Sequence, residues 1–328
     1  LLIISILIFT VIQAPPGDYI SAKIEEMERA GEEANMAEIE SLRRAFWLDD
    51  PQYVRYARWM GFTWFAGFKD QDRGLLQGYL GRSMQTGQPV NKIVGERLAF
   101  TFLIAFFSVL FTWGIAIPIG IYSACRQYSW GDYLFTFLGF IGMSIPGFLL
   151  AILLMYGSET LFGFTVSGLF SAEFAAQPGM SWAKFVDLLK HIWVPIVIMG
   201  MSGTAGMIRV MRANLLDELN KPYVITAEAK GLHPLRLLLK YPVRVALNPF
   251  ISGIGGLLPT LISGGAIVAV TLSLPTVGPL LLDAIMAQDV YFAASLLMLL
   301  TTLSVIGTLF SDILLILLDP RIRQGRSG

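Results

Sequence analysis

Few side chains in this chain could carry out a reaction. The candidates are two histidines (His191 and His233), one cysteine (Cys125), and a serine before a proline in the run Gly142-Met-Ser-Ile-Pro-Gly147. The histidines lie too far apart in sequence to suggest a metal site by spacing. Cys125 has no partner for an internal disulfide, so there is no disulfide framework to read. Ser144 has no nearby histidine to act as its base, which argues against a serine hydrolase. Pro146 and Gly147 instead predict a bend. No G-x-x-x-x-G-K-[ST] pattern occurs, nor even a Gly-Lys pair, so the chain has no P-loop to cradle nucleotide phosphates. The G-x-S-x-G and H-E-x-x-H patterns are also missing. No catalytic residue, metal ligand or bound cofactor is expected.

Asp312 is the exception among the apolar segments, about a turn and a half from the end of the last one. An intramembrane carboxylate is a functional candidate by default. Ion-coupled carriers usually place such groups near the midplane, at broken helices. A carboxylate near an end reads better as an interhelical hydrogen-bond partner than as a proton relay. With neither an ATPase motif nor an ion relay, the chain draws its energy from elsewhere.

The remaining chemistry is a charged stretch, residues 209–244, with seven Lys/Arg and three Asp/Glu. Asn220-Lys221-Pro222 breaks the chain, and Tyr223–Lys230 then predicts a two-turn helix. Gly231 ends it as a left-handed cap, and a basic amphipathic helix restarts over Leu235–Tyr241. A helix-glycine-helix knob is a shape that docks into a groove. A positive loop that only fixes topology is the other reading.

The elements that position these residues are membrane helices. The 328 residues are 55% hydrophobic and 15% charged, with zero net charge and a mean hydropathy of +0.62. An ordinary soluble domain is roughly 25% charged, so this composition belongs to a membrane protein. The neutral balance implies no nucleic-acid partner. Six apolar segments are expected to span: residues 1–14, 99–124, 133–156, 192–208, 246–272 and 292–318. The first opens the chain without a Met and reads as the tail of a spanning helix. A signal peptide is disfavoured, because Gln13-Ala14-Pro15-Pro16 lacks a small-x-small cleavage pattern.

Residues 15–95 form a polar segment, and residues 18–97 hold half the charges of the chain. Ser21–Phe46 reads as an amphipathic helix with Ile24, Met27, Ile39, Leu42 and Phe46 on one face. The aromatic-rich stretch Trp47–Phe68 reads either as a membrane-interface surface or as a small cap with an aromatic core. Loops 125–132, 209–244 and 319–328 carry eleven Lys/Arg, against two in 158–190 and 276–290. The first set therefore faces the cytoplasm, with both termini there, and the 15–95 segment lies outside. Gly200, Gly203 and Gly206, with Gly253, Gly255, Gly256, Gly264 and Gly265, predict close helix packing or a flexible pair lining a moving pathway.

Tyr223, Val224, Thr226, Ala227, Ala229, Lys230, Gly231 and Leu232 follow the pattern Y-V-x-T-A-x-A-K-G-L. This resembles the coupling loop of binding-protein-dependent ABC permeases, in the dipeptide/oligopeptide branch and of the first permease subunit type. Further matches occur in order along the chain. They are Gly78-Tyr-Leu-Gly-Arg-Ser83, Pro89-Val90 with Glu96-Arg97-Leu98, Leu274-Pro-Thr-Val-Gly278 with Leu281-Leu-Asp-Ala284, and Asp312 with Leu318-Asp-Pro-Arg-Ile-Arg323. Glu228 departs from the Arg usual there, and Ile225-Thr226-Ala227 replaces the general E-A-A start. Phe164–Lys190 resembles a longer outer loop found in permeases for modified peptides and for oligosaccharides.

The resemblance implies an all-α polytopic membrane protein of the ABC importer type I permease fold. It would have six transmembrane helices and an extracytoplasmic segment after the first. The parts would be a first helix (1–14), a periplasmic segment (15–95), a five-helix core (96–318) with the coupling loop 209–244, and a cytoplasmic tail (319–328). It implies a permease subunit in the bacterial cytoplasmic (inner) membrane that imports peptides or related solutes. The partners would be a second homologous permease, two cytoplasmic ATPases carrying ATP and Mg, and an extracytoplasmic solute-binding protein. Coupling contacts are expected from Tyr223, Thr226, Ala227, Glu228, Ala229, Lys230, Gly231, Leu232 and Arg236. Ser144, Pro146, Ser252, Thr260 and Ser263 are the pathway candidates, although each hydroxyl is expected to bond back within its helix. A membrane-embedded enzyme and an ion-coupled secondary carrier are the alternatives from other classes.

Overall fold

Apolar runs bounded by Gly, Pro and Ser caps give helices throughout the computed structural model, which describes residues 1–14, 17, 19–30, 36–163, 166–177 and 179–318. Among the described residues there are α-helices, two short 3-10 turns and one isolated bridge, Arg82 to Pro89, but no strand. The first five helices are α1 (Leu2–Ile12), α2 (Tyr19–Ala30), α3 (Met36–Ala45), α4 (Gln52–Met60) and α5 (Trp64–Gly67). The next five are α6 (Val90–Cys125), α7 (Trp130–Ser144), α8 (Gly147–Phe162), α9 (Ala172–Ala175) and α10 (Trp182–Leu219). Then follow α11 (Pro222–Ala229), α12 (Pro234–Lys240), α13 (Pro242–Ala246) and α14 (Asn248–Ser252). The last three are α15 (Ile254–Thr271), α16 (Val277–Met286) and α17 (Val290–Leu318).

Among the described residues, α6, α10, α15 and α17 are each long and apolar enough to cross a membrane, and α7 with α8 makes a fifth if counted as one span. That pair is bent by 95°. Ile145 is extended between them (φ −86°, ψ 118°) and Pro146 starts the second half, because the residue before a proline is pushed out of the helical region. The expected count of six is therefore modified. The first segment gives α1, eleven residues long, about 17 Å at 1.5 Å per residue. The segment expected over 246–272 is broken near its start into α13, α14 and α15. The 192–208 segment is the apolar middle of a helix more than twice as long, α10. Ser129 Oγ accepts from Asp132 N at 3.3 Å to cap α7, and Ser181 Oγ accepts from Lys184 N at 3.1 Å to cap α10.

The chain divides into two compact units. The first comprises residues 1–99 and 276–302. Its core gathers Phe9, Ile39, Phe46, Trp59 and Tyr291, with Ile24 and Leu42 packed against it. Where one helix is expected over Ser21–Phe46, the described residues form two, α2 and α3, and residues 31–35 lie outside those described. Within the aromatic stretch Trp59 is buried in this core, whereas Tyr53, Phe65 and Phe68 are exposed. Polar bonds between distant residues fasten this unit. Trp59 Nε1 donates to Ser295 Oγ at 2.9 Å, and Ser5 Oγ lies 2.8 Å from the Tyr56 hydroxyl. The carboxylate of Asp289, fully buried, accepts from Ser83 Oγ (2.8 Å), Met84 N (2.7 Å), Gln85 N (3.3 Å) and Phe292 N (3.2 Å). Burial pushes this carboxyl above its ordinary value, while the bonds from Ser83 and from the backbone of Phe292, Gln85 and Met84 pull it back down.

The second unit comprises residues 100–275 and 303–328; the expected tail 319–328 lies outside the described residues. Here α6, α8, α10, α13, α14 and α15 pack through two apolar clusters, one around Val194, Ile198, Val268 and Leu272, the other around Ala116, Met211, Leu215 and Phe250, while α7 packs against α10. Glycines set several of the closest approaches. A Cβ at Gly200 would fall 2.5 Å from the Phe111 ring, and one at Gly255 would fall 2.5 Å from Thr308 N. Gly206, Gly256 and Gly264 have nothing within 4 Å of such a position. The stripe therefore packs at some positions and is open at others.

Candidate functional site

The charged segment folds into a compact knob. α10 ends at Leu219, and Lys221 (φ −74°, ψ 144°) turns the chain into α11, with Pro222 in its first turn. Gly231 follows at φ +74°, a conformation that favours glycine. Its N–H bonds to Glu228 O at 2.8 Å, while Leu232 N bonds to Ala227 O at 3.4 Å. α12 then restarts with Pro234 in its first turn. Val224, Ala227 and Leu237 form a small core of their own, covered by Tyr223, Leu232 and Tyr241. The Tyr223 hydroxyl donates to the Glu218 carboxylate at the foot of α10. α13 follows directly, and its Val243 and Ala246 join the cluster that contains Met211 and Leu215 of α10. The knob is thereby attached to α10 by the chain and by packing.

This geometry sorts the coupling candidates. Thr226, Glu228, Ala229, Lys230, Gly231 and Arg236 are exposed, as is Ile225, which stands outside the expected set. Ala227 turns inward at 7% exposure and fills the knob's own core. Tyr223 and Leu232 are half-buried supports of that core. Thr226 Oγ1 is bonded to Pro222 O at 2.8 Å, leaving its methyl and oxygen lone pairs outward. The exposed candidates thus present one acidic and two basic side chains beside small residues, with Ile225, Leu235 and Leu239 also exposed on the knob, a surface suited to a cleft rather than to chemistry.

The five pathway candidates do not converge. Ser144, Ser252, Thr260 and Ser263 donate to Phe140 O, Pro249 O, Gly256 O and Pro259 O at 2.8, 3.2, 2.7 and 2.7 Å, each within its own turn. Pro146 is exposed at the α7–α8 break. Of the five, Thr260 alone lines the cavity of about 490 Å³ in this unit, together with Thr112, Gly147, Ser202 and Gly264. No group of three or more His, Cys, Asp or Glu side chains able to hold a metal ion occurs among the described residues.

Residue types and spacing do not single out one ion pair on a buried carboxylate. Arg212 Nη2 on α10 donates to Asp132 Oδ2 on α7 at 3.2 Å, and the same oxygen accepts from Tyr128 N at 3.0 Å. It ties the shaft that leads into the knob to the first half of the bent pair. In sequence, Arg212 is one of seven cations in a basic loop, and Asp132 follows a capping serine, so neither is distinctive. Asp312 is exposed on α17.

The chain matches the family described as "Binding-protein-dependent transport system inner membrane component" over residues 116–324, and the corresponding N-terminal family over residues 1–105. It is 33% identical over 326 residues to the "Oligopeptide transport system permease protein AppB" of Bacillus subtilis (strain 168), covering 98% of this chain and 95% of that protein. It is 27% identical over 335 residues to the "Dipeptide transport system permease protein DppB" of Alkalihalophilus pseudofirmus, covering 97% and 94%. A chain of the inward-facing MetNI methionine ABC transporter superposes with a TM-score of 0.53 at 16% identity, over 69% of this chain and 96% of that one. At that identity the likeness concerns the fold.

Proposed function

The chain belongs to the family of binding-protein-dependent transport system inner membrane components, and from that premise we propose that it is the membrane permease subunit of an ATP-driven peptide importer. The observation that carries the coupling role is the exposed helix-glycine-helix knob at the foot of α10. Both relatives named above are peptide permeases, so peptide is favoured over oligosaccharide as cargo.

In this reading two cytoplasmic ATPases hold ATP and Mg and receive the knob through Thr226, Glu228, Ala229, Lys230, Gly231 and Arg236. A second, homologous permease completes the pathway, and an extracytoplasmic binding protein delivers the peptide. Residues 15–95 lie on the outer side of the bacterial inner membrane, and both termini lie in the cytoplasm. ATP closure draws the coupling knobs together. Through α10 and the Arg212–Asp132 tie, that motion reaches the bent pair α7–α8. ATP shifts the paired bundles outward only by the difference in its affinity for the two states.

The test is ATP hydrolysis by the reconstituted assembly with its binding protein, given short peptides or oligosaccharides. Stimulation by peptides alone is expected. Stimulation by oligosaccharides alone would replace the cargo, and peptide uptake by this chain without ATPases would replace the mechanism with a secondary carrier.

A further inference from the structure

The first unit contains a second, larger cavity of about 780 Å³, walled by α3, α4, the turns over residues 70–74 and 79–87, and Tyr291. Its charges are unbalanced: Arg55, Arg58, Arg73 and Arg82 line it against Asp70 and Asp72. Both carboxylates are already engaged. Arg73 Nη2 lies 3.0 Å from Asp70 Oδ1, and Arg58 Nη1 lies 3.9 Å from Asp72 Oδ1. Arg58 also reaches Asp50 at 3.5 Å and lies over the Trp47 ring at 4.9 Å. Arg55 and Arg82 have no ion pair among the described residues. The polar contact of Arg55 is with the Tyr291 hydroxyl, and its Nε is buried without a hydrogen-bond partner. A half-buried guanidinium with no counter-charge is costly, because the desolvation of the cation goes uncompensated.

Arg82 is not placed there by chance of loop flexibility. Its neighbours Ser83 and Met84 are bonded to the buried Asp289, and its own backbone bridges to Pro89. A guanidinium fork matches a carboxylate in a bidentate manner. The aromatic walls of Trp47, Trp59 and Tyr79 suit the apolar body of a peptide residue. The Gln71 side-chain amide offers an acceptor for a peptide N–H group, which a lipid phosphate would not use. The volume lies in the range of ligand cavities, roughly 300–1,000 Å³.

We propose that this cavity is a peptide-binding site that seats an acidic side chain on Arg55 and Arg82. The importer reading supplies only its setting, on the extracytoplasmic face, where an acidic peptide segment would reach it. The experiment is calorimetric titration of the full chain in phosphatidylcholine nanodiscs with acetyl-Ala-Glu-Ala-amide and with acetyl-Ala-Gln-Ala-amide. The glutamate peptide is expected to bind at least tenfold more tightly, and Arg55→Gln and Arg82→Gln are each expected to weaken it about tenfold, as lost charge-assisted bonds do. Arg82 lies on the exposed rim, so its variant keeps the test valid if Arg55→Gln fails to fold. Equal affinity for the two peptides, or unchanged binding in Arg82→Gln, would overturn the proposal. So would binding of glycerol phosphate in place of the peptide, which would assign the cavity to a lipid headgroup. ATP-driven uptake by the whole assembly is measured in parallel. Normal uptake with no probe binding would remove this site alone, whereas probe binding without uptake would remove the importer reading alone.

Discussion

The two units differ in the weight they give to long-range polar bonds. In the first, hydroxyls, an indole and a carboxylate bond across long sequence separations: Trp59 to Ser295, and Ser83 to Asp289. In the second, most hydroxyls return to a carbonyl three or four residues earlier, as Thr204 does to Gly200 O at 2.7 Å and Thr260 to Gly256 O. Its helices are joined by glycine contacts and apolar clusters, with a few cross-helix polar bonds such as Arg212 to Asp132 and Ser311 to Ile251 O. Long-range polar bonds fix one arrangement, because each bond left unmade leaves a buried group unsatisfied. Small-residue packing carries no such penalty for sliding by a fraction of a turn. The difference teaches that long-range polar bonding and small-residue packing can be weighted differently in two parts of one chain by the choice of bonding partner.

The largest expected effect lies in the first unit. Asp289→Ala strands the Ser83 hydroxyl and the backbone N–H groups of Met84, Gln85 and Phe292. Each buried donor left unsatisfied costs about 1–3 kcal/mol, read as a lowered thermal midpoint of the detergent-solubilised chain and as protease cleavage within residues 79–90. Unchanged stability would erase the contrast between the units. The carboxyl also gives this unit a pH dependence. Its folded value is raised above 3.8 by burial, so its stabilising share is fully present below the unfolded value and is lost as pH rises through the folded one. Asp289→Asn removes that dependence, and a pH-stability slope identical to wild type in this variant would refute the assignment.

Next comes the glycine packing of the second unit. A Cβ on Gly255 would lie 2.5 and 2.6 Å from the backbone N and Cα of Thr308, which cannot move aside as a side chain would. Gly255→Val should cost about 1–3 kcal/mol by overpacking. At Gly256, one residue on, nothing lies within 4 Å, and Ala there should gain a few tenths to about 1 kcal/mol through helix propensity. Paired melting curves decide it: similar losses for both would mean that the α15–α17 contact does not depend on the small residue.

How far the sequence reached follows the same division. The break at Asn220-Lys221-Pro222, the helix over Tyr223–Lys230, the left-handed Gly231 and the restart before Leu235 were all legible, because turn chemistry is local. The bend before Pro146 was legible for the same reason, though its 95° was not. α10 was read too short. Hydropathy sees only the apolar middle, while the helix runs on through Lys184, Asp187, Arg209 and Arg212. The role of Asp289 was invisible, since its partner Ser83 lies 206 residues away. The inward face of Ala227 was not legible, because the coupling pattern names the residue types of the knob without saying which face each takes.

At the knob the contrast becomes one of backbone. Gly231 has φ +74° with open space around it, so a side chain there meets only conformational strain. Gly231→Ala should cost about 1 kcal/mol and Gly231→Val more, because β-branching makes positive φ a genuine outlier. Gly231→Val is therefore expected to lower ligand-stimulated ATP hydrolysis and uptake together while the chain still inserts. Normal values of both would free the knob from its dependence on shape.

The smallest effect is expected at Thr260, the one pathway candidate on the 490 Å³ cavity. Its hydroxyl proton is already given to Gly256 O at 2.7 Å, so Thr260→Val removes a bond that contributes little in a helix already bonded along its backbone. Valine keeps the branched shape, so the cavity wall is unchanged. Stability should stay within about 0.5 kcal/mol, the range of substitutions that touch no special feature, and peptide uptake within about twofold. A several-fold fall in uptake at unchanged stability would mean that the oxygen lone pairs meet cargo. The second unit would then hold a polar recognition point as firmly fixed in place and partner as those of the first. The contrast between the bonding patterns of the two units would have to be redrawn at this residue.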